Sequence, residues 1–304
     1  MADVGSLMLL DTASLYYRAF YGMPETVTAP DGTPVNAVRG LLDTITRLVK
    51  ARPPEFLVAC MDASWRPEFR VNAVPAYKAH RARPDGTEET PPGLEAQIPV
   101  IEEVLNAAGL AMAGCTGYEA DDVIATLAAR SEGPVDVVTG DRDLFQVVDD
   151  AKGVRVIYTV RGLASLDIID EAAVTARYQI PGRAYADFAA LRGDPSDGLP
   201  GVPGVGDKTA AALIRTFGSI AGITEALDKG HGGFPTGSRV KLTKAREYLD
   251  IALQVVRVVT EVPLPEVTGK LPLQPPQSVR LNDLGSQWGL GSSLSRFVAA
   301  VTSP

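Results

Sequence analysis

Cysteine is nearly absent: the 304 residues include two, Cys60 and Cys115, and no Cys-x-x-Cys pair. That excludes a disulfide framework, and both thiols read as small buried hydrophobes in a reducing cytoplasm. Histidine is as scarce, with only His80 and His231, which argues against a His-rich zinc site. No apolar run reaches the roughly 20 residues of a membrane helix. Met1–Leu10 has neither a basic n-region nor a cleavage pattern, so no secretory signal is read there. Positive charge is short as well, with 29 Lys and Arg against 37 Asp and Glu, a formal net charge of −8. As a sum, that argues against a nucleic-acid partner. The distribution outweighs the sum. The acids fall in tight groups, and a carboxylate cluster holding divalent cations is not negative in its working state. Arg66, Arg70, Lys78, Arg81 and Arg83 lie in one short stretch.

The length suits one large domain and a smaller one. In residues 1–180, short apolar runs alternate with amphipathic stretches. Leu7–Leu10, Phe56–Met61 and Val135–Thr139 read as strands. Thr12–Tyr21, Val35–Lys50, Pro99–Ala108 and Asp121–Arg130 read as helices. This alternation predicts an α/β fold with a mainly parallel central sheet flanked by helices. Between the second strand and the Pro99 helix, Arg66–Gly93 is polar and lacks a core-like period, so it reads as a functional insertion or a mobile surface loop. From about Pro181 to 262 the chain reads as a small all-helical domain, with no strand signal until Val255. Pro263–Pro276 carries five prolines and reads as a semi-rigid connector. The tail to Pro304 is expected to return to the body through Leu281, Leu284, Trp288, Leu294 and Phe297.

Each of the three strands ends near an aspartate: Asp11, Asp62 and Asp141, with Asp143 just beyond. Ligands of open parallel sheets bind beyond the carboxyl ends of the strands. If the three strands are parallel neighbours, these side chains converge. Gly117-Tyr118-Glu119-Ala120-Asp121-Asp122 adds three acids at the start of a helix. The helix dipole favours one acid there, but three in four positions repel one another. Asp194 and Asp197 form a last i, i+3 pair, for which an Asx-turn or helix cap is the plainer reading. Nine carboxylates packed without cations would raise one another's pKa. All-oxygen ligands suit Mg²⁺ or Mn²⁺, and two such ions about 4 Å apart can clamp a phosphodiester and activate water.

After Asp197 comes Leu199-Pro200-Gly201-Val202-Pro203-Gly204-Val205-Gly206-Asp207-Lys208-Thr209, then the apolar stretch Ala210–Phe217. Glycines admit close backbone approach, and a helix N-terminus offers free N–H groups to phosphate. The pattern reads as a helix–hairpin–helix that grips duplex backbone through Gly201, Val202, Gly204, Val205, Gly206, Lys208 and Thr209. An ordinary helix–turn–helix corner is the alternative. A monovalent cation, K⁺, at the hairpin carbonyls is a further expectation. In Tyr77-Lys78-Ala79-His80-Arg81, a helix would put Lys78 and Arg81 on one face, fit to hold a single strand or orient a phosphate. A solvated surface is the competing reading. Tyr16, Tyr17, Arg18, Phe20 and Tyr21, just after Asp11, read either as a base-stacking platform, with Tyr17 favoured, or in part as core.

Taken in order, these stretches resemble the bacterial 5′ nuclease family: flap endonucleases and the N-terminal 5′–3′ exonuclease domain of bacterial DNA polymerase I. Leu10-Asp11…Tyr17-Arg18-Ala19-Phe20, Asp62…Phe69-Arg70…Tyr77-Lys78…Arg81, Gly117–Asp122, Thr139–Leu144 and Asp194…Asp197–Val202 carry the match, over roughly residues 7–300. The resemblance implies a resolvase-like fold of the PIN type plus a helical helix–hairpin–helix (H3TH) domain. In the polymerase relatives a polymerase module follows, whereas this chain, ending at Pro304, is expected to be a stand-alone nuclease. It implies that the nine carboxylates are metal ligands and that Lys78 and Arg81 contact the scissile phosphate. Arg18 and Arg70 match basic positions near the active site. It further implies DNA substrates with 5′ flaps, nicks or single-stranded 5′ ends, with RNA/DNA hybrids as a variant, no membrane, a monomer, and a cytoplasmic, nucleoid-associated role in replication and repair. A catalytically silent branched-DNA binder and a nuclease acting on RNA are the two alternatives.

Overall fold

The computed structural model describes residues 5–160, 162, 166–274 and 278–303. The first four residues of the N-terminal reading, and Pro275–Pro276 at the end of the connector, lie outside them. Six strands form one sheet in the order β3-β2-β1-β4-β5-β6. They are β1 (Leu7–Asp11), β2 (Phe56–Cys60), β3 (Ala111–Ala113), β4 (Val135–Thr139), β5 (Val154–Tyr158) and β6 (Asp167–Ile169). All neighbours are parallel except β5 and β6. The sheet is buried on both faces. Leu9 packs into one core with Val58 and Val137, while Met8 and Leu10 pack into the other, as period-2 side chains in a doubly covered sheet must.

The helix Asn36–Ala51 shows why its sequence signal is strong. Val38, Leu41, Leu42, Ile45, Leu48 and Val49 are all buried along one face. The helices Ser278–Gln287 and Gly291–Thr302 cover this side, burying Leu281, Leu284, Leu294 and Phe297, with Trp288 packed beside them. The other face of the sheet is covered by Ala120–Arg130 and by helices from Glu171 to Val256. Among the described residues no single helix is long and apolar enough to cross a membrane.

Strands β3, β5 and β6 went unread in the sequence. β3 and β6 are three residues each, and β3 reads Ala-Met-Ala. Val255 does not begin a strand: it lies in the last turn of the helix Arg246–Val256, packed in the core. Its β-branched run serves a buried helix face, which a short apolar run cannot be told from by pattern.

Arg66–Gly93 is folded onto the body. It contains a short helix, Glu68–Ala73, a 3₁₀ turn, Ala79–Arg81, and an isolated bridge between Ala82 and Glu88. Arg70, Val74 and Tyr77 are buried. They are spaced i, i+4, i+7, but an arginine leads the row and Pro75 interrupts the helix, so the period does not read as core.

Candidate active site and nucleic-acid interface

Strand β1 lies between β2 and β4, and all three run parallel. Their carboxyl ends therefore carry Asp11, Asp62 and Asp141 to one edge, at the point where the strand order reverses. There a cavity of about 470 Å³ opens. It is lined by eight of the nine predicted carboxylates, Asp11, Asp62, Glu119, Asp121, Asp141, Asp143, Asp194 and Asp197, together with Lys78, Arg81 and Tyr17. Glu88, Arg142, Ser14 and Trp65 line it as well. Sequence reasoning missed these four. Glu88 sits in the polar insertion, where nothing marks one acid from another.

Each carboxylate is placed by its element. Asp11 caps the helix Thr12–Gly22, accepting from the Ser14 N–H (3.2 Å), and accepts from the Thr139 hydroxyl on β4 (2.5 Å). Asp62 accepts from the Ala120 N–H (2.7 Å), so it holds the start of the helix Ala120–Arg130. Asp141 accepts from the Asp143 N–H (2.8 Å). Glu119 receives the Tyr77 hydroxyl (2.8 Å), the Arg70 guanidinium (2.6 Å) and the Lys78 ammonium. Asp197 receives Arg81 (3.0 Å).

Burial dominates the electrostatics. It lifts Asp11 to about 7, helped by neighbouring Asp62 and opposed by the Thr139 hydrogen bond. Burial, then the charge of Asp141, raises Asp121 and Asp143 well above the carboxylate range. Burial also raises Asp141 and Glu119, although Asp141, unlike Glu119, keeps its side chain exposed to solvent at the cavity. Asp194 goes the other way. Burial pushes it up, but hydrogen bonds from Ser196 and Arg142 outweigh that and hold it low.

Four expectations need correction. Asp122 does not face the cavity. It is fully buried, and both its oxygens are engaged. One accepts from Arg70 and the Val259 N–H (2.7 and 2.8 Å), the other from Arg70 and the Glu119 N–H (2.7 and 3.2 Å). No lone pair is left facing the cavity for a cation. Arg70 is likewise buried between Glu119, Asp122 and the Val255 carbonyl, so it positions acids and cannot touch a substrate. Arg18 lies outside the cavity lining, its guanidinium given to the Val160 carbonyl (2.8 Å). Lys78 and Arg81 do not share a helical face. Lys78 precedes the 3₁₀ turn in the left-handed region (φ 48°). The two meet at the cavity because the Lys78 N–H is held by the Asp197 carbonyl (2.9 Å) and Arg81 by the Ser196 carbonyl (2.7 Å). Asp194 makes the plainer structure as well, an Asx cap on the turn Pro195–Asp197, while still lining the cavity.

The donor set fits hard divalent cations: clustered carboxylates, several of them raised by burial and mutual repulsion, and a buried Asp143 oxygen that has no hydrogen-bond partner. Among the described residues no three acidic, His or Cys side chains close on a single point. The fit therefore rests on donor chemistry and the unpaired oxygen. It has a thermodynamic consequence. Carboxyls whose folded pKa is raised stabilise the fold when protonated, and that stability is lost as pH rises through the folded value, about 7 for Asp11. In chelator, the Tm should therefore fall between about pH 5 and pH 8, and a divalent cation should restore most of the loss at the upper end. A Tm that is flat over this range, with or without cation, would show that the acids are not strained against one another.

The hairpin lies between the helices Tyr185–Arg192 and Asp207–Phe217. Gly201 (φ 63°) backs onto Gly193 so closely that a Cβ would stand 2.5 Å from the Gly193 nitrogen. Val202 and Val205 are buried. Their side chains anchor the hairpin, so any contact they make to DNA would be through the main chain. Gly204, Gly206 and Lys208 are exposed, and Lys241 donates to the Gly204 carbonyl (2.8 Å).

Two family models match the chain: "5'-3' exonuclease, N-terminal resolvase-like domain" over residues 6–179, and "5'-3' exonuclease, C-terminal SAM fold" over residues 180–279. The chain belongs to the 5′–3′ exonuclease family. It is a nuclease, and it is 57% identical over 300 residues to a "5'-3' exonuclease" of Streptomyces coelicolor, covering 97% of this chain and all of that one. A Mycobacterium tuberculosis "5'-3' exonuclease" is 48% identical over 309 residues, 97% of each chain. In fold, the chain is similar to the bacteriophage T5 flap endonuclease in a pseudo-enzyme–product complex with DNA and metal ions. That match has a TM-score of 0.63 at 17% identity, over 97% of each chain.

The exposed glycines and helix N-terminus of this family member make a testable case. Hairpin contacts to phosphate predict duplex affinity that falls steeply with salt and hardly depends on sequence. Gly204 has φ 75°, and a Cβ there would stand 2.8 Å from the Lys241 ammonium. Gly204→Val should weaken duplex binding by about tenfold, read by anisotropy on two unrelated duplexes; strain at positive φ and lost phosphate approach both contribute. A marked preference for one duplex sequence would contradict the assignment.

Proposed function

We propose that the protein is a structure-specific 5′ nuclease, cutting DNA phosphodiesters at 5′ flaps, nicks and single-stranded 5′ ends. One observation carries this: an acidic cavity at the sheet's switch point that is lined by eight of the nine predicted carboxylates and bounded by three basic side chains, Lys78, Arg81 and Arg142. Asp11, Asp62, Glu119, Asp121, Asp141, Asp143, Asp194 and Asp197 would hold two or more Mg²⁺ or Mn²⁺ ions. Bound there, the cations supply an activated water and charge neutralisation for in-line hydrolysis. Lys78 and Arg81 orient the scissile phosphate, and Tyr17 stacks an adjacent base. The hairpin binds the duplex on the side of Asp197, and its exposed carbonyls are the place for K⁺, in competition with the Lys241 ammonium. Domains spanning 1–180, 181–262 and 263–304, action as a monomer and a place at the nucleoid belong to the same reading. The two relatives named 5'-3' exonuclease and the DNA and metal ions in the T5 complex support it.

A labelled 5′-flap substrate, as DNA and as RNA, with Mg²⁺ or with chelator, tests it. Cleavage of the DNA flap in Mg²⁺ alone is the expected result. Binding without cleavage in every condition would mark a silent scaffold, and preferential cutting of the RNA flap an RNA nuclease. Lys78→Ala should lower the single-turnover rate more than the affinity, because the contact orients a reacting phosphate. Equal rates for Lys78→Ala and wild type would leave Lys78 without that role.

A further inference from the structure

Beyond the acidic cavity lies a second chamber of about 600 Å³, bounded by Tyr17, Tyr21, Arg81, Glu88, Glu89 and the stretch Thr90–Pro92. It shares Tyr17, Arg81 and Glu88 with the catalytic cavity, and no residue of the hairpin side lines it. A strand leaving the duplex at the hairpin and passing Arg81 would therefore enter it. The chamber is built on rigid parts. Tyr17 and Tyr21 are i, i+4 on the helix Thr12–Gly22, so they share a face about 6 Å apart. The Tyr17 hydroxyl is hydrogen-bonded to Thr90 (3.2 Å). Pro91 and Pro92, at the start of the helix Pro92–Glu95, form a stiff apolar wall.

Tyr21 is the odd residue out. It is 73% exposed, yet its ring is held edge-on to Phe20 with centroids 5.2 Å apart. A large aromatic fixed in solvent is a surface waiting for a flat partner. The charges select which part of a nucleotide it would take. Glu88 and Glu89 repel a phosphate, whereas Glu89 can accept from the amino or imino edge of a base. A ring, two prolines and a carboxylate suit a nucleobase.

We propose that this chamber is a subsite for an unpaired nucleobase on the 5′ side of the scissile phosphate, stacked on Tyr21 against Pro91 and Pro92. The subsite rests on the flap-nuclease reading. It makes Tyr21 a specificity-determining residue, favouring substrates with an unpaired 5′ segment long enough to reach beyond Arg81.

The test uses the full chain and a 5′-flap DNA with 2-aminopurine at successive unpaired positions, bound in chelator so that no strand is cut. Stacking on Tyr21 should quench the fluorescence at one position of the flap in wild type. Tyr21→Ala should abolish that quench and slow single-turnover flap cleavage in Mg²⁺ by about tenfold, and Tyr21→Phe, which keeps the ring, should restore both. Duplex affinity, measured on a blunt duplex, reports separately on the hairpin and shows that the variant is folded. A wild type that cuts the flap while every 2-aminopurine stays unquenched overturns the subsite and leaves the nuclease reading standing. So does a Tyr21→Ala enzyme with normal quench and rate. A wild type that binds duplex but never cuts a flap overturns both.

Discussion

Asp121→Ala should abolish cleavage, by on the order of 1,000-fold or more in single-turnover rate, while duplex affinity changes by less than about threefold. The asymmetry follows from where Asp121 sits. It lines the catalytic cavity at the start of the helix Ala120–Arg130. Its neighbours Glu119 and Asp122 receive protein hydrogen bonds. Asp121 is instead held above the usual carboxylate range, first by burial and then by the charges of Asp141, Asp11 and Glu119 around it. Removing it therefore costs the fold little and even relieves repulsion, so the variant should be at least as stable as wild type in chelator. The hairpin shares no residue with the cavity lining, so duplex binding through it should persist. Chelation of the wild type should reproduce the phenotype. Substantial flap cutting by Asp121→Ala, or by wild type in excess chelator, would sink the metal-dependent mechanism. A variant that loses cleavage and binding together would place Asp121 in the fold and not in the chemistry.

The contrast between Asp121 and Asp122 shows what the sequence could and could not tell. Adjacent acids at a helix start look alike in a string. A single step of helical rotation matters more than identity: position 121 points to the sheet edge and position 122 into the core. The strand-end aspartates were legible because parallel strands impose the geometry, since Asp11, Asp62 and Asp141 each lie at or just past the end of a short apolar strand and the sheet does the converging. The hairpin was legible from its glycines, because Gly201 and Gly204 occupy backbone conformations that other residues rarely adopt. Glu88, Arg142 and Trp65 were not legible, since their arrival at the cavity depends on how Arg66–Gly93 and the Gly140–Asp143 turn fold back. The inward turn of the Val202 and Val205 side chains was not legible either. Their place in a motif says that they matter, while only packing says which way they face.

Arg70 gives the sharpest test of that packing. Its guanidinium reaches Glu119 at 2.6 Å and Asp122 at 2.7 Å, and its Nε donates to the Val255 carbonyl at 2.9 Å. One buried side chain thereby ties together the polar insertion, the acidic helix and the last helix before the connector. Asp122 completes the link by accepting from the Val259 N–H. Replacing a buried ion group with a well-packed apolar one can be neutral, but removing one partner leaves an uncompensated charge, at about 3–5 kcal/mol. Arg70→Met should therefore lower the unfolding free energy by about that much, visible as a lower urea midpoint with the slope unchanged. Glu119 keeps Lys78 and Tyr77 as partners, so the stranded charge is chiefly that of Asp122. Adding Asp122→Asn to Arg70→Met should then recover part of the loss, which additive, independent effects would not do. Arg70→Lys should fail to substitute, since a single ammonium cannot reproduce the forked contact to both Asp122 oxygens. The cleavage rate should fall in Arg70→Met even under conditions where the protein stays folded, because Glu119 loses one of the groups that aim it into the cavity. An Arg70→Met protein within about 1 kcal/mol of wild type, or one whose loss is deepened by Asp122→Asn, would mean that the buried charges are compensated by something other than this arginine.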